Sequence, residues 1–244
     1  MKLSFKKYYV LNEGGNVFKD ANKLSLTARI QKADIDPTVK FIESITSLPL
    51  ISNYLGSTGK KSSSGDLDLA VDENTTTKDQ LVEKLSKWVT INLDGKPVDY
   101  IRKGGIEVHF KTPIKGNADN GYVQTDFMFS KNIKLLKFIY KGSGIEDSPY
   151  KGNHRNILMA SISRALTPSY KFSTTRGLLD SNDQLVADDP AEIVQILGGP
   201  GTQESDFDTV ESILNIIQKR PDYEKLVLNT RTNPVYVKSG VQLP

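Results

Sequence analysis

The chain of 244 residues contains no cysteine. That excludes disulfides, thiolate nucleophiles and zinc–thiolate sites together, and it fits a reducing compartment. Histidine is scarce as well, with only His109 and His154. Three-histidine zinc sites and the HExxH arrangement are therefore excluded. A metal here must be held by carboxylates, and hard oxygen ligands favour magnesium-type ions. No apolar run approaches the ~18 residues of a membrane helix. The first residues, 1–7, carry charge but no apolar stretch of the signal-peptide kind. The expectation is a cytoplasmic protein with no membrane partner. Charge of one sign is also lacking, since 32 Lys and Arg against 29 Asp and Glu leave a formal +3. That excess does not mark a nucleic-acid binder by itself. What is present is a globular composition, with mean hydropathy −0.38 and 37% hydrophobic residues. It suits one large domain, or a core with an appendage.

The pattern along the chain predicts an α+β, or mixed α/β, fold. Residues 6–10 and 16–19 flank Asn12-Glu13-Gly14-Gly15 and read as an N-terminal hairpin. Asp36-Pro37 reads as a cap and first position of a helix over 37–48, with Phe41, Ile42, Ile45 and Leu48 on one face. A short strand over 51–55 leads into a loop over 56–65. Asp66 to Val71 alternates carboxylate and aliphatic, as a strand does. Thr77 caps a helix over 78–89, and 98–101 reads as a strand. Residues 106–110 and 122–129 alternate around a polar turn at 116–121, which predicts a long antiparallel hairpin. A small, mostly antiparallel or mixed sheet backed by two helices follows. From 131 the pattern is mainly helical, over 131–140, 153–166, 190–198 and 208–219, with a hairpin over 170–187. A boundary near 142 separates a core, 1–142, from a mainly helical part, 143–244, that completes a cleft.

The informative stretch is Leu55-Gly56-Ser57, eight residues, then Asp66-Leu67-Asp68-Leu69. A period of two puts Asp66 and Asp68 on one face and Leu67, Leu69 and Val71 on the other. Two adjacent carboxylates repel, and keeping both ionised needs a cation. Oxygen ligands at this spacing suit Mg²⁺ or Mn²⁺ bound with substrate phosphates. The preceding turn suits a triphosphate. Gly56 admits close approach of the backbone, successive N–H groups form an anion nest, Ser57 and Thr58 add hydroxyls, and Lys60 and Lys61 add charge. Asp126 supplies a third acid from the apolar strand 122–129, where a carboxylate is costly unless paired or metal-bound. Three carboxylates can hold two ions ~3.5–4 Å apart, the arrangement used for in-line displacement at phosphorus. A Walker A loop is excluded: Lys61 follows Gly59-Lys60 where Ser or Thr is needed, and Tyr54 stands where the first glycine belongs.

Gly56-Ser57, then Asp66-Leu67-Asp68, then Asp126 on a later strand, resembles the nucleotidyltransferase superfamily typified by DNA polymerase β. The resemblance covers roughly residues 37–130. With Tyr150-Lys151-Gly152-Asn153-His154-Arg155-Asn156 added, the chain looks most like small nucleotidyltransferase proteins of bacteriophages, which would place it in a host cytoplasm. The resemblance implies transfer of a nucleoside monophosphate from an NTP, such as ATP, to an acceptor hydroxyl, with release of pyrophosphate. It implies that Gly56 and Ser57 grip the triphosphate and that Asp66 and Asp68 ligate both metals. Asp126 would ligate the catalytic metal and help deprotonate the attacking hydroxyl. Glu107 is the substitute for Asp126. Thr58, Lys60, Lys151 and Arg155 are the further phosphate contacts. The acceptor is open, tRNA or another polynucleotide among the options.

Two other classes compete: a catalytically inactive nucleotide-binding module, and a polynucleotide-binding partner protein. The second would use Lys131, Lys134, Lys137 and Lys141, which share a helical face and otherwise form a solvated surface. His109 and His154 read as ordinary surface or core histidines, and Trp88 reads as core.

Overall fold

A computed structural model describes residues 16–142, 150 and 152–232. The expected hairpin strand 6–10 lies outside the described residues. Within 16–19, Lys19 bridges Ser25 instead. Strand β1 (Ile30–Gln31) runs directly into α1 (Lys32–Thr46), which begins earlier than the Asp36-Pro37 signal implies and carries Pro37 inside it. Ile35, 1% exposed, shares the buried face with Val39 and Ile42. Burying that side chain outweighs the one backbone hydrogen bond that proline cannot donate. The helix stops at Ser47, which has φ 57, rather than at Leu48. Segment 51–55 forms no extended ladder. Tyr54 makes one isolated bridge to Leu69.

Strand β2 (Ser63–Ser64), inside the expected loop, pairs antiparallel with β1. It leads into β3 (Asp66–Asp72) and α2 (Lys78–Asn92), the latter opened by a capping box between Thr77 and Gln80. The expected strand at 98–101 is instead a single helical turn, α3 (Pro97–Tyr100). Pro97 presets its first position, and the Asp99 carboxylate accepts the Lys96 N–H at 2.8 Å. Then come β4 (Ile101–Gly104), β5 (Glu107–Pro113) and β6 (Tyr122–Ser130). The sheet order is β3-β6-β5-β4, with β3 parallel to β6 and the other pairs antiparallel. The class is α+β with a mixed sheet.

The two faces of this sheet differ because the strand sequences alternate. Leu67, Leu69 and Val71 of β3 join Val108, Phe110 and Phe127 against α1 and α2 in one apolar cluster. Trp88 belongs to that layer, edge-on to Phe41 and Phe110, with ring centroids 5.0 and 6.4 Å away. The opposite face carries the acids. Helix α4 (Ile133–Ile139) lies against that face, with Leu136 packed on Ala70 and Met128. Its other side chains, Leu135, Phe138 and Ile139, belong to the C-terminal cluster. One helix thereby fastens the sheet to the rest of the chain.

The remainder comprises α5 (Gly152–Ala165), a three-stranded sheet of β7 (Lys171–Ser173), β8 (Gly177–Leu179) and β9 (Leu185–Ala187), then α6 (Pro190–Gly198), α7 (Val210–Ile217) and α8 (Tyr223–Thr232). The hairpin expected over 170–187 thus has a third strand. Helix α8, beyond Pro221, was not expected from the pattern. Among the described residues no helix is long and apolar enough to cross a membrane.

Candidate metal and phosphate site

The register of the central sheet assembles the acids. Asp68 of β3 lies directly opposite Asp126 of β6, and Asp126 lies opposite His109 of β5. Facing residues on adjacent strands share a face and stand ~5 Å apart. Asp66 is one step earlier on the same face, opposite Gln124. Each of Asp66, Asp68 and Asp126 offers a carboxylate oxygen, and these oxygens all lie within 4.8 Å of one another. The set is all oxygen and triply acidic, which fits a hard divalent cation such as Mg²⁺ or Mn²⁺. Glu107, opposite Met128, lies one step along the same face. It is an additional acid beside the trio, not a replacement for Asp126.

Electrostatics reflect this crowding. Burial, then Asp66, Asp126 and Glu107, push the Asp68 carboxyl well above the usual carboxylate range. Burial and the Asp126 charge raise Asp66, with Arg29 opposing. Burial also raises Glu107. His109 is raised by its hydrogen bond to Asp126, against the effect of burial. Tyr140 packs against the cluster of Ala70 and Met128 on the acid-bearing face, and burial, then Glu107 and Asp68, raise its phenol. Each of these carboxyls strains toward its neutral form, and a cation among them would reverse the balance.

The turn before β3 is fitted against Asp68. Gly56 has φ +57, and a Cβ there would meet Asp68 Oδ2 at 2.6 Å. Only glycine allows this approach without strain. Gly142 in turn packs on Gly56, since a Cβ there would meet the Gly56 carbonyl carbon and oxygen at 2.2 Å. The Gly56 N–H donates to Tyr140 O at 2.6 Å, and the Gly142 N–H donates to Gly56 O at 3.1 Å.

These bonds narrow the sequence-based expectation of an anion nest. The N–H groups of Gly56, Thr58 and Lys60 are engaged by Tyr140, Leu55 and Ser57 carbonyls. The Thr58 side chain, 3% exposed, accepts the Asp68 N–H at 3.0 Å. Thr58 is therefore a brace for the acid strand and not a phosphate donor. Ser57 keeps both its N–H and its hydroxyl without a partner among the described residues. Lys60 Nζ reaches Gly142 O at 2.6 Å. Burial, then repulsion from Lys141, lower its pKa.

Arg155 is not at the cleft surface. It is 3% exposed, its Nε donates to Phe207 O, and its Nη1 donates to Phe138 O at 2.7 Å. Its guanidinium carbon lies 4.4 Å from the Phe138 ring centroid. Burial pulls its pKa down to about 10, with Asp208 opposing. It ties α4, α5 and the segment before α7 together, and the expected phosphate contact is corrected to a structural one. Lys151 lies outside the described residues. On the basic face, Lys134 pairs with Asp189 and Glu204, Lys137 donates to Ser52 O, and Lys141 pairs with Asp208. Three of the four lysines are thus engaged within the chain.

Sequence reasoning set aside His109 and did not single out Gln124 or Tyr140. The signal for the first two was present, because 107 and 109, like 124 and 126, alternate onto one face. A separate cavity of about 400 Å³ opens near Ser130, Lys131 and Arg176, and none of the three aspartates lines it. No family model matches the chain, and no curated protein matches it.

Proposed function

We propose that this chain is a metal-dependent nucleotidyltransferase, moving a nucleoside monophosphate from an NTP to an acceptor hydroxyl. The observation that carries the reading is the convergence of Asp66, Asp68 and Asp126 to within 4.8 Å, from two parallel strands, beside a glycine turn pressed on Asp68. The resemblance to polymerase β-like enzymes rests on these same residues.

In the proposed reaction the acceptor oxygen bonds to the α-phosphorus. The bond from that phosphorus to the bridging oxygen of the β-phosphate breaks, and the electron pair leaves with pyrophosphate. The acceptor proton passes to Asp126. Asp66, Asp68 and Asp126 would hold Mg²⁺ or Mn²⁺, which when bound supplies neutralisation of the charge developing on the phosphoryl oxygens. The Ser57 hydroxyl, without a partner among the described residues, is the donor assigned to the triphosphate, and Lys60 adds a positive charge beside it. Position and charge, rather than a covalent intermediate, are what the chain contributes. The acceptor is a hydroxyl-bearing molecule, with a tRNA end or another polynucleotide among the candidates.

The test incubates the chain with each labelled NTP, Mg²⁺ or Mn²⁺, and cell extract. Pyrophosphate release and label in a nuclease-sensitive, small-molecule or protein fraction are read out, with intact mass of the chain to detect self-modification. The expected result is release with at least one NTP, lost in Asp68→Asn. Release that Asp68→Asn matches, or none with any NTP, overturns the proposal.

A further inference from the structure

Asp126 is the most enclosed acid of the site, and two side chains already grip it. His109 Nδ1 lies 2.7 Å from Asp126 Oδ1, and Gln124 Nε2 lies 2.9 Å from Oδ2. All three residues are nearly out of solvent, with exposures of 6, 9 and 2% for Asp126, His109 and Gln124. A carboxylate that holds a cation only accepts, so in that state Nδ1 is the donor. The ring's other nitrogen faces Glu107 Oε2 at 3.5 Å. The Gln124 amide is oriented from its far end. Its Oε1 accepts the Val17 N–H at 2.8 Å, across 107 residues of sequence. A backbone N–H can only donate, so this bond fixes the amide with Nε2 toward Asp126.

The geometry has a use beyond satisfying buried polar atoms. A carboxylate offers about four lone-pair sites. One bond to each oxygen leaves about two, one for a cation and one for the acceptor proton, and both bonds together stop the carboxylate from turning. Val17 is held in place by its neighbour Phe18, which is 1% exposed and has the Arg102 guanidinium carbon 5.8 Å from its ring centroid. A cation shared with Asp66 and Asp68 needs the Asp126 carboxylate held in one orientation.

We propose that His109 and Gln124 are positioning residues for Asp126, holding its carboxylate in the cation-binding orientation, with the Val17 N–H locking Gln124. This rests on the metal-site reading above. Neither side chain is assigned contact with metal or nucleotide. Groups that orient a metal ligand in this way typically change metal affinity ~10–100-fold when removed.

The test is Mn²⁺ titration by calorimetry of the full chain, at one fixed pH. Wild type, Asp126→Asn, Gln124→Met, His109→Leu and His109→Asn are compared, with thermal unfolding of each in EDTA. The expected result is ~10–100-fold weaker Mn²⁺ binding for Gln124→Met and His109→Leu. His109→Asn, which retains a donor near the Nδ1 position, recovers most of the affinity. A purely structural role would lower the unfolding temperature in EDTA and leave the affinity of the folded chain unchanged. Gln124→Met is close to isosteric, so it decides the question even where His109→Leu does not fold. A folded Gln124→Met that binds Mn²⁺ within twofold of wild type overturns the inference while leaving the metal site standing. A wild-type chain that binds no Mn²⁺ overturns both.

Discussion

Replacing Asp68 by asparagine should stabilise the metal-free protein while removing its response to divalent cations. The carboxylate oxygens of Asp66, Asp68 and Asp126 approach within 4.8 Å. At an effective dielectric of about 20, two unit charges at that separation repel by about 3.5 kcal/mol. Burial first, and then this repulsion, raise Asp66 and Asp68, so the folded site escapes part of the cost by taking up a proton. The gain from Asp68→Asn near neutral pH is therefore capped at about 4 kcal/mol, the cost of keeping a proton on one carboxyl about three pH units above its ordinary range. For a chain of this size each kcal/mol is about 2–4 °C in unfolding temperature. The sign with pH follows from linkage. The folded chain holds protons that the unfolded chain has already released, so metal-free stability falls as pH rises from the ordinary carboxylate range through the raised values. The assay is thermal unfolding from pH 4.5 to 8 in EDTA and again in Mn²⁺. In EDTA the wild type should lose stability across that interval, and Asp68→Asn should lose less. Mn²⁺ should raise the wild-type midpoint and leave the variant close to its EDTA value. Equal midpoints for the two chains in EDTA at pH 7, or equal Mn²⁺ stabilisation of both, would refute the reasoning.

Four further substitutions separate the site from its supports. Gly56→Ala puts a Cβ at 2.6 Å from Asp68 Oδ2 with φ +57, and should cost about 1–3 kcal/mol in urea unfolding and weaken Mn²⁺ binding; unchanged binding would detach the turn from the acids. Arg155→Leu removes the side-chain donor that bridges the Phe138 and Phe207 carbonyls and should cost about 2–4 kcal/mol. Its folded form should bind Mn²⁺ as wild type does, and a loss of affinity without a loss of stability would return Arg155 to the ligand site. Thr58→Val removes the acceptor for the Asp68 N–H and should cost about 1–2 kcal/mol, whereas Ser57→Ala should leave stability within about 0.5 kcal/mol and weaken NTP binding, read by nucleotide titration.

Where local rules acted alone, expectation and structure agree. Thr77 caps α2 through a box with Gln80, and β3 runs with its acids on one face, because both patterns are set within a few residues. Where packing competed, local signals lost. Pro37 lies inside α1 because Ile35 belongs to the core. Thr58 and Arg155 are residue types that bind phosphate, yet burial commits one to the Asp68 backbone and the other to two carbonyls.

The amino-acid order determined that any metal chemistry here is carboxylate chemistry, since cysteine is absent and only two histidines exist. It also determined that Asp66 and Asp68 are neighbours, because a strand repeats every two residues. Only the tertiary structure decided that Asp126 faces Asp68. That pairing depends on a parallel register between β3 and β6, and a slip of one residue would turn the third acid into the apolar layer under α1 and α2. The same holds for the bond from Val17 to Gln124, because contacts between distant segments follow from how elements pack and are not encoded in any local stretch.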